Sequence, residues 1–188
     1  MNDTLTTIYN RSSVRAYKDE QVPEEMIKEV INAGFHAACG MNAQATRFAV
    51  VSNKKKIKEY SDRGKKLYLE AMEASGNVVG RLKEMLSNKD LNIFHNAPAV
   101  IFVFTAPTAL TALEDASLAI GNMMLAAKSI GLGTCWIGLA GELSKDPDFV
   151  KDTGSEWLKH QGTLIIGYPA KEQKPTPRSE MKILNWIK

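Results

Sequence analysis

The sequence predicts a single α+β domain, and three observations carry that prediction. Segments with helical period are interspersed with short, wholly apolar runs of β-branched and aromatic residues. The 188 residues suffice for one sizeable hydrophobic core. Hydrophobic residues at 44% and charged residues at 24% lie near the globular average, which excludes a disordered tail protein or a disulfide-stapled miniprotein. No internal repeat or low-complexity tract interrupts the chain.

The elements follow in order. A short apolar helix over residues 5–9 precedes the cluster Arg11-Ser12-Ser13-Val14-Arg15 and the polar turn Lys18-Asp19-Glu20. From 23 to about 35, Met26, Ile27, Val30, Ile31 and Gly34 share one helical face, with Glu24, Glu25, Lys28 and Glu29 mostly opposite, and Pro23 suits the first turn. Residues 37–46 break that period, and Phe48-Ala49-Val50-Val51 reads as a short buried strand ended by Ser52-Asn53. Residues 54 to about 90 are charged and helix-prone, with breaks expected at Gly64, Gly76 and Gly80; the lysine run 54–56 is read as a wet helix face. Residues 99–105, bracketed by Pro98 and Pro107, are β-branched, aromatic and apolar throughout, as in a strand covered on both faces.

Residues 115–130 place apolar or small side chains in almost every helical direction, so this helix needs cover on all sides. A second copy of the chain is an economical source of that cover, and a homodimer built around this helix is expected. Beyond Gly131-Leu132-Gly133, residues 134–137 and 163–166 read as buried strands, the second closed by Gly167-Tyr168-Pro169. The domain spans residues 1–188, and its tail from about 170 to 188 turns from polar, with two prolines, to apolar at Ile183, Leu184, Trp186 and Ile187. Such a tail is expected to dock on the partner subunit.

Several function classes drop out. The 24 Lys plus Arg against 21 Asp plus Glu leave +3, too little to argue for a nucleic-acid surface. Cys39 and Cys135 lie far apart, and His36, His95 and His160 show no ligand spacing, so no metal site is expected. The N-terminal residues lack the apolar stretch of a secretory signal, and no 18 apolar residues run without a charge; no membrane partner and a cytoplasmic location are expected. G-x-G-x-x-G, Walker A, G-x-S-x-G and H-E-x-x-H motifs are all absent.

What remains is a set of anion- and ring-binding candidates. Two arginines and two hydroxyls within residues 11–15 can all reach one phosphate, through charge-assisted hydrogen bonds of roughly 1.5–3 kcal/mol each; the alternative is a helix cap with surface salt bridges. Asn42 and Gln44 can read the donor and acceptor edges of a heterocycle, or satisfy their own loop. The glycines around residues 131–138 let backbone approach a flat ligand or another chain, or serve tight packing. Trp136 fits a core role as well as a cofactor contact, and Cys135 is expected to be buried and inert.

In order and spacing these pieces resemble the nitroreductase family of flavoproteins. The resemblance rests on R-x-S-x-R-x-[FY] at residues 11–17, N-x-Q at 42–44, a small apolar helix at 115–130, G-L-G-x-x-W-I-G at 131–138, G-Y-P at 167–169, and the late Arg178. It implies a central mixed, mainly antiparallel sheet flanked by helices, and FMN bound at the interface of an intertwined homodimer. Hydride transfer from NADH or NADPH to nitroaromatics, quinones or other small electron-poor acceptors is implied, by ping-pong turnover. Carried over by position, Arg11, Ser13 and Arg178 would meet the FMN phosphate, with Ser12 beside them through its backbone. Arg15 would lie at the pyrimidine edge and stabilise the reduced ring, and Asn42 and Gln44 would line the ribityl chain and dimethylbenzene side. Trp136, Ile137, Gly138 and Leu139 would flank the ring, with an N–H of Gly138 or Leu139 aimed at N5. No side chain is expected to act as a catalytic group, since the flavin carries the chemistry.

Departures from the family pattern also matter. The amide loop reads Cys39-Gly40-Met41-Asn42-Ala43-Gln44-Ala45-Thr46, without the serines and Pro-Trp common there, and Gly138 stands where some members place Glu. Residues 62–90, the source of substrate-covering side chains, do not map. Rival readings are a non-enzymatic FMN carrier or redox sensor, and another acceptor chemistry such as dehalogenation or azoline oxidation.

Overall fold

The computed structural model describes residues 2–188. In chain order it contains α1 (Asp3–Asn10), α2 (Glu24–Phe35), a 3-10 turn (Gly40–Asn42), β1 (Thr46–Val51), α3 (Lys54–Ala74), α4 (Gly80–Ser87), β2 (Ala99–Thr105), α5 (Ala112–Ser129), β3 (Gly133–Trp136), a 3-10 segment (Gly138–Lys145), α6 (Pro147–Thr153) and β4 (Lys159–Gly167). The strands form one sheet in the order β1-β2-β4-β3, and every neighbouring pair is antiparallel. The parallel component is an isolated bridge from Ser13 to Thr134.

β2 is apolar throughout because both of its faces are covered. Ala99, Ile101 and Val103 face a core shared with Val22, with Ile27 and Val30 of α2, and with Ala116, Ile120, Met123 and Ala127 of α5. Val100, Phe102 and Phe104 face the other core, with Ile57 and Tyr60 of α3, Leu86 of α4, Leu143 and Phe149. There the Phe102 and Phe149 rings meet edge to face at 4.8 Å. Full burial of such side chains is worth about 1.5–3 kcal/mol each. His160 packs beside Phe104, hydrogen-bonds Thr163 at 2.9 Å, and burial pushes its imidazole down to about 4, so it is a neutral, half-buried residue.

Two expectations are corrected. α3 runs straight through Gly64: a Cβ there would lie 3.1 Å from Ile93 Cδ1, so the glycine permits close packing rather than ending the helix. Gly76 does follow the end of α3, and Gly80 opens α4. β1 is a half-exposed edge strand rather than a buried one, with Val50 43% exposed. Within one chain, α5 is buried along one face, at Ala116, Ala119, Ile120, Met123 and Ala127, and leaves Leu113 and Leu118 exposed.

α6 is clamped to α3. Asp146 caps the helix by accepting from the Asp148 and Phe149 N–H groups, and both its oxygens accept from Arg63 at 3.0 Å. Arg63 also pairs with Glu59 and Asp148. The 3-10 segment Gly138–Lys145 ends at this clamp, so its far end is fixed.

Candidate functional site

At Arg11 the chain leaves α1 in an extended conformation and runs beside β3, where the Val14 N–H donates to the Thr134 carbonyl at 2.9 Å. Extended backbone alternates its side chains. Val14 is buried against Gly133, where a Cβ would fall 2.5 Å from Val14 Cγ2, while Ser13 and Arg15 point outward. Arg11 and Ser12 line a cavity of about 50 Å³ together with Lys128, Thr134 and Gln173. Ser12 Oγ is buried there without a hydrogen-bond partner among the described residues. The salt bridges among the described residues include none to Arg11, Arg15 or Arg178, so surface ion pairing does not account for the cluster.

Arg15 lies close enough to His95 that its charge, after burial, holds the imidazole below its usual range. Burial raises the Tyr17 phenol, the Cys135 thiol adds to that and Arg15 opposes it; the phenol donates to the Val14 carbonyl at 2.7 Å. Tyr17 thus fastens the segment that carries Arg15. Cys135 itself is buried, as expected.

β3 leads from this cluster to Trp136, whose ring packs over Gly162: a Cβ there would lie 2.9 Å from Trp136 Cζ2. Gly162 sits beside a bulge in the β2–β4 pairing between Val103 and Phe104. Trp136 nevertheless keeps 37% of its surface exposed. Ile137 is buried and donates to the Thr163 carbonyl at 2.8 Å. Gly138 is exposed, and nothing lies within 4 Å of the position a Cβ would take. Gly138 and Leu139 open a 3-10 segment, whose first N–H groups lack intrahelical acceptors.

The amide loop lies elsewhere. Gly40 donates its N–H to Asp115 near the start of α5, and Gln44 Nε2 donates to Asn42 Oδ1 at 3.0 Å. Met41, Asn42 and Gln44 adopt φ of 53°, 54° and 46°, a left-handed backbone that non-glycine residues other than Asn, Asp and His seldom adopt. Within one chain, then, the arginine–serine cluster sits by the last turn of α5 and the amides by its first. At 1.5 Å per residue these ends lie on the order of 20 Å apart. Arg178 is exposed on the tail and does not line the Arg11 cavity.

The sequence marks none of Lys128, Gln173, His95 and Asp115 as a site residue. Lys128 carries no motif, only its place in the last turn of α5; the others come near the site through tertiary contacts that no local spacing encodes. Among the described residues no group of three or more His, Cys, Asp or Glu could hold a metal ion, and no helix is long and apolar enough to cross a membrane.

Comparison with known proteins adds to this geometry. The model of the nitroreductase family matches residues 8–153. The chain is 31% identical over 178 residues to an iodotyrosine deiodinase of Thermotoga neapolitana, covering 91% of each. It is 29% identical over 180 residues to an FMN reductase (NADPH) of Bacillus subtilis, covering 95% of this chain and 70% of that one. Among solved structures, a nitroreductase of Bacteroides fragilis with bound FMN superposes with a TM-score of 0.84 at 29% identity, covering 98% of this chain and 100% of that one.

Proposed function

The chain belongs to the nitroreductase family, and from that premise we propose that it is an FMN-dependent oxidoreductase that takes electrons from NADH or NADPH and passes them to a small electron-poor acceptor such as a nitroaromatic or quinone. The observation that carries this reading is the unpaired Arg11–Arg15 cluster, with the orphaned Ser12 hydroxyl, beside the exposed end of β3. Those residues fit the cofactor: Arg11 and Ser13 would hold its phosphate, with Ser12 beside them, and Arg178 would join them from the tail. Lys128 and Gln173 add polar groups to the cavity wall. Trp136, Ile137, Gly138 and Leu139 would flank the ring, and the open space at Gly138 suits a flat ligand there.

The chemistry supplied by FMN when bound is two-electron transfer between a nicotinamide and an acceptor. The protein's part is to bind, orient and tune. Arg15 would offset negative charge at the pyrimidine edge, and a main-chain N–H of Gly138 or Leu139 would orient N5. Donor and acceptor would use one open face in turn, giving ping-pong kinetics.

We further propose a homodimer whose sites each draw on both copies. The separation of the amide loop from the arginine cluster along α5 supports this. So do the exposed apolar side chains of α1 (Leu5, Ile8, Tyr9), α5 (Leu113, Leu118) and the tail (Met181, Ile183, Leu184, Trp186, Ile187). Both cysteines are free, which fits a reducing, cytoplasmic setting.

The decisive test is an absorbance spectrum of the purified protein before and after anaerobic NADPH. A flavin spectrum that bleaches and recovers on adding a quinone is expected; a colourless protein that FMN cannot reconstitute would refute the proposal. Bound flavin that no nicotinamide reduces would favour a carrier or sensor. A second reading, reductive dehalogenation, is favoured by the 31% identity to the deiodinase. Iodide release from iodotyrosine under the same conditions would select it.

A further inference from the structure

The loop at residues 40–44 is fixed by side chains from other elements. Asp115, in the first turns of α5, is 4% exposed, and its Oδ1 accepts the Gly40 N–H at 2.9 Å across 75 residues of chain. Its Oδ2 is buried as well and has no donor among the described residues. Thr111, one turn earlier, presses on the same glycine: a Cβ at Gly40 would fall 2.1 Å from Thr111 Oγ1. At the other end, Arg47 donates to the carbonyls of Gln44 and Thr46 at 2.8 and 2.9 Å.

Between these anchors stand Met41, Asn42 and Gln44, all left-handed. Such backbone persists only where the surroundings over-determine it. A buried carboxylate with one oxygen left without a donor is a costly anchor if packing were its only task, since an apolar residue would fill the space without that penalty.

Resting on the FMN reading above, we propose that Asp115 is a positioning residue of the flavin site. It holds the 40–44 loop in the conformation that presents the Asn42 and Gln44 amides to FMN seated on a second copy of the chain, without itself touching the cofactor. Removing the carboxylate frees the Gly40 N–H, the loop relaxes toward ordinary backbone, and the amides must be ordered again each time the cofactor binds.

The test is FMN titration of the full-length protein, stripped of flavin, followed by fluorescence quenching. Asp115→Ala is expected to raise the FMN Kd about tenfold, the loss of one charge-assisted hydrogen bond. Asp115→Asn, which keeps an acceptor for Gly40, should stay within about threefold of wild type, on the order of a neutral hydrogen bond's difference. A purely structural role would not couple to the amides, so the same substitution is also made in an Asn42→Ala/Gln44→Ala background. There it should weaken binding little further. Unchanged affinity in Asp115→Ala, or full additivity with the amide variants, overturns the proposal. If Asp115→Ala does not fold, Gly40→Ala displaces the loop against Thr111 and should weaken binding likewise; unchanged affinity there overturns it too. A wild-type protein that binds no FMN overturns the flavin reading and this inference with it, whereas normal wild-type binding with an unaffected Asp115→Ala overturns the inference alone.

Discussion

Two copies of the chain, each broken at a different end of α5, should repair one another. Arg11→Ala removes a cation without an acidic partner, and a charge-assisted phosphate contact of about 1.5–3 kcal/mol corresponds to roughly a 10- to 100-fold weaker FMN Kd. Asn42→Ala/Gln44→Ala removes two neutral contacts, each worth about 0.5–1.5 kcal/mol, or roughly 5- to 150-fold together. If every site takes its cluster from one copy and its amides from the other, a heterodimer of the two variants contains one site with both defects and one with neither. Two differently tagged copies, co-expressed and purified over both tags, isolate that heterodimer. Titration should then show about half of the sites at wild-type affinity, as two-fold symmetry demands. Each homodimer alone should show none. A heterodimer without any wild-type fraction would place the whole site within one chain and refute the two-copy reasoning.

Three further predictions test separate links. Arg15→Ala should lower the potential of the bound flavin and slow its reduction by NADPH, because a positive charge near the pyrimidine edge is lost; spectroelectrochemistry of the loaded variant reads the change. Gly133→Ala puts a Cβ 2.5 Å from Val14 Cγ2, so it should displace the strand carrying Arg11 and Arg15 and weaken FMN retention on gel filtration. Asp146→Ala should lower the thermal midpoint by about 2–4 °C, the effect of losing roughly 1 kcal/mol of helix cap in a chain of this size. Burial pushes the Asp146 carboxyl up, but Arg63 and the Phe149 and Asp148 N–H groups outweigh it and hold the group below its usual range. Its folded value lies below the unfolded one, so the contribution is present at neutral pH and lost as pH falls through the folded value. The gap between wild type and variant in thermal melts should therefore close below about pH 4.

Much of the fold was legible because burial writes itself into short windows. β2, covered on both faces, leaves an unbroken apolar run, and α2, covered on one, leaves a 3.6-residue stripe. What failed to show was decided by tertiary contact. Gly64 reads as a helix breaker until Ile93 and Leu143 are seen packed on it, and the edge position of β1 is a property of the sheet rather than of its residues. Residues 138–153 carry no readable period, since a 3-10 segment and a helix of 7 residues are too short to display one. The arginine–serine cluster was visible as composition. Lys128 and Asp115, which meet the candidate site only through the fold, were not.

α5 is in effect a ruler. It spans the distance between the arginine–serine cluster and the amide loop, and in the proposed homodimer two such rulers would have to bring opposite ends into register twice over. Inserting a single residue in its middle would twist one end by about 100° and push it about 1.5 Å along the axis relative to the other. Both pockets of the proposed pair would fall out of alignment at once, even if every side chain in either half kept its own neighbours. The length of the helix is therefore as much a part of the proposed site as any side chain on it.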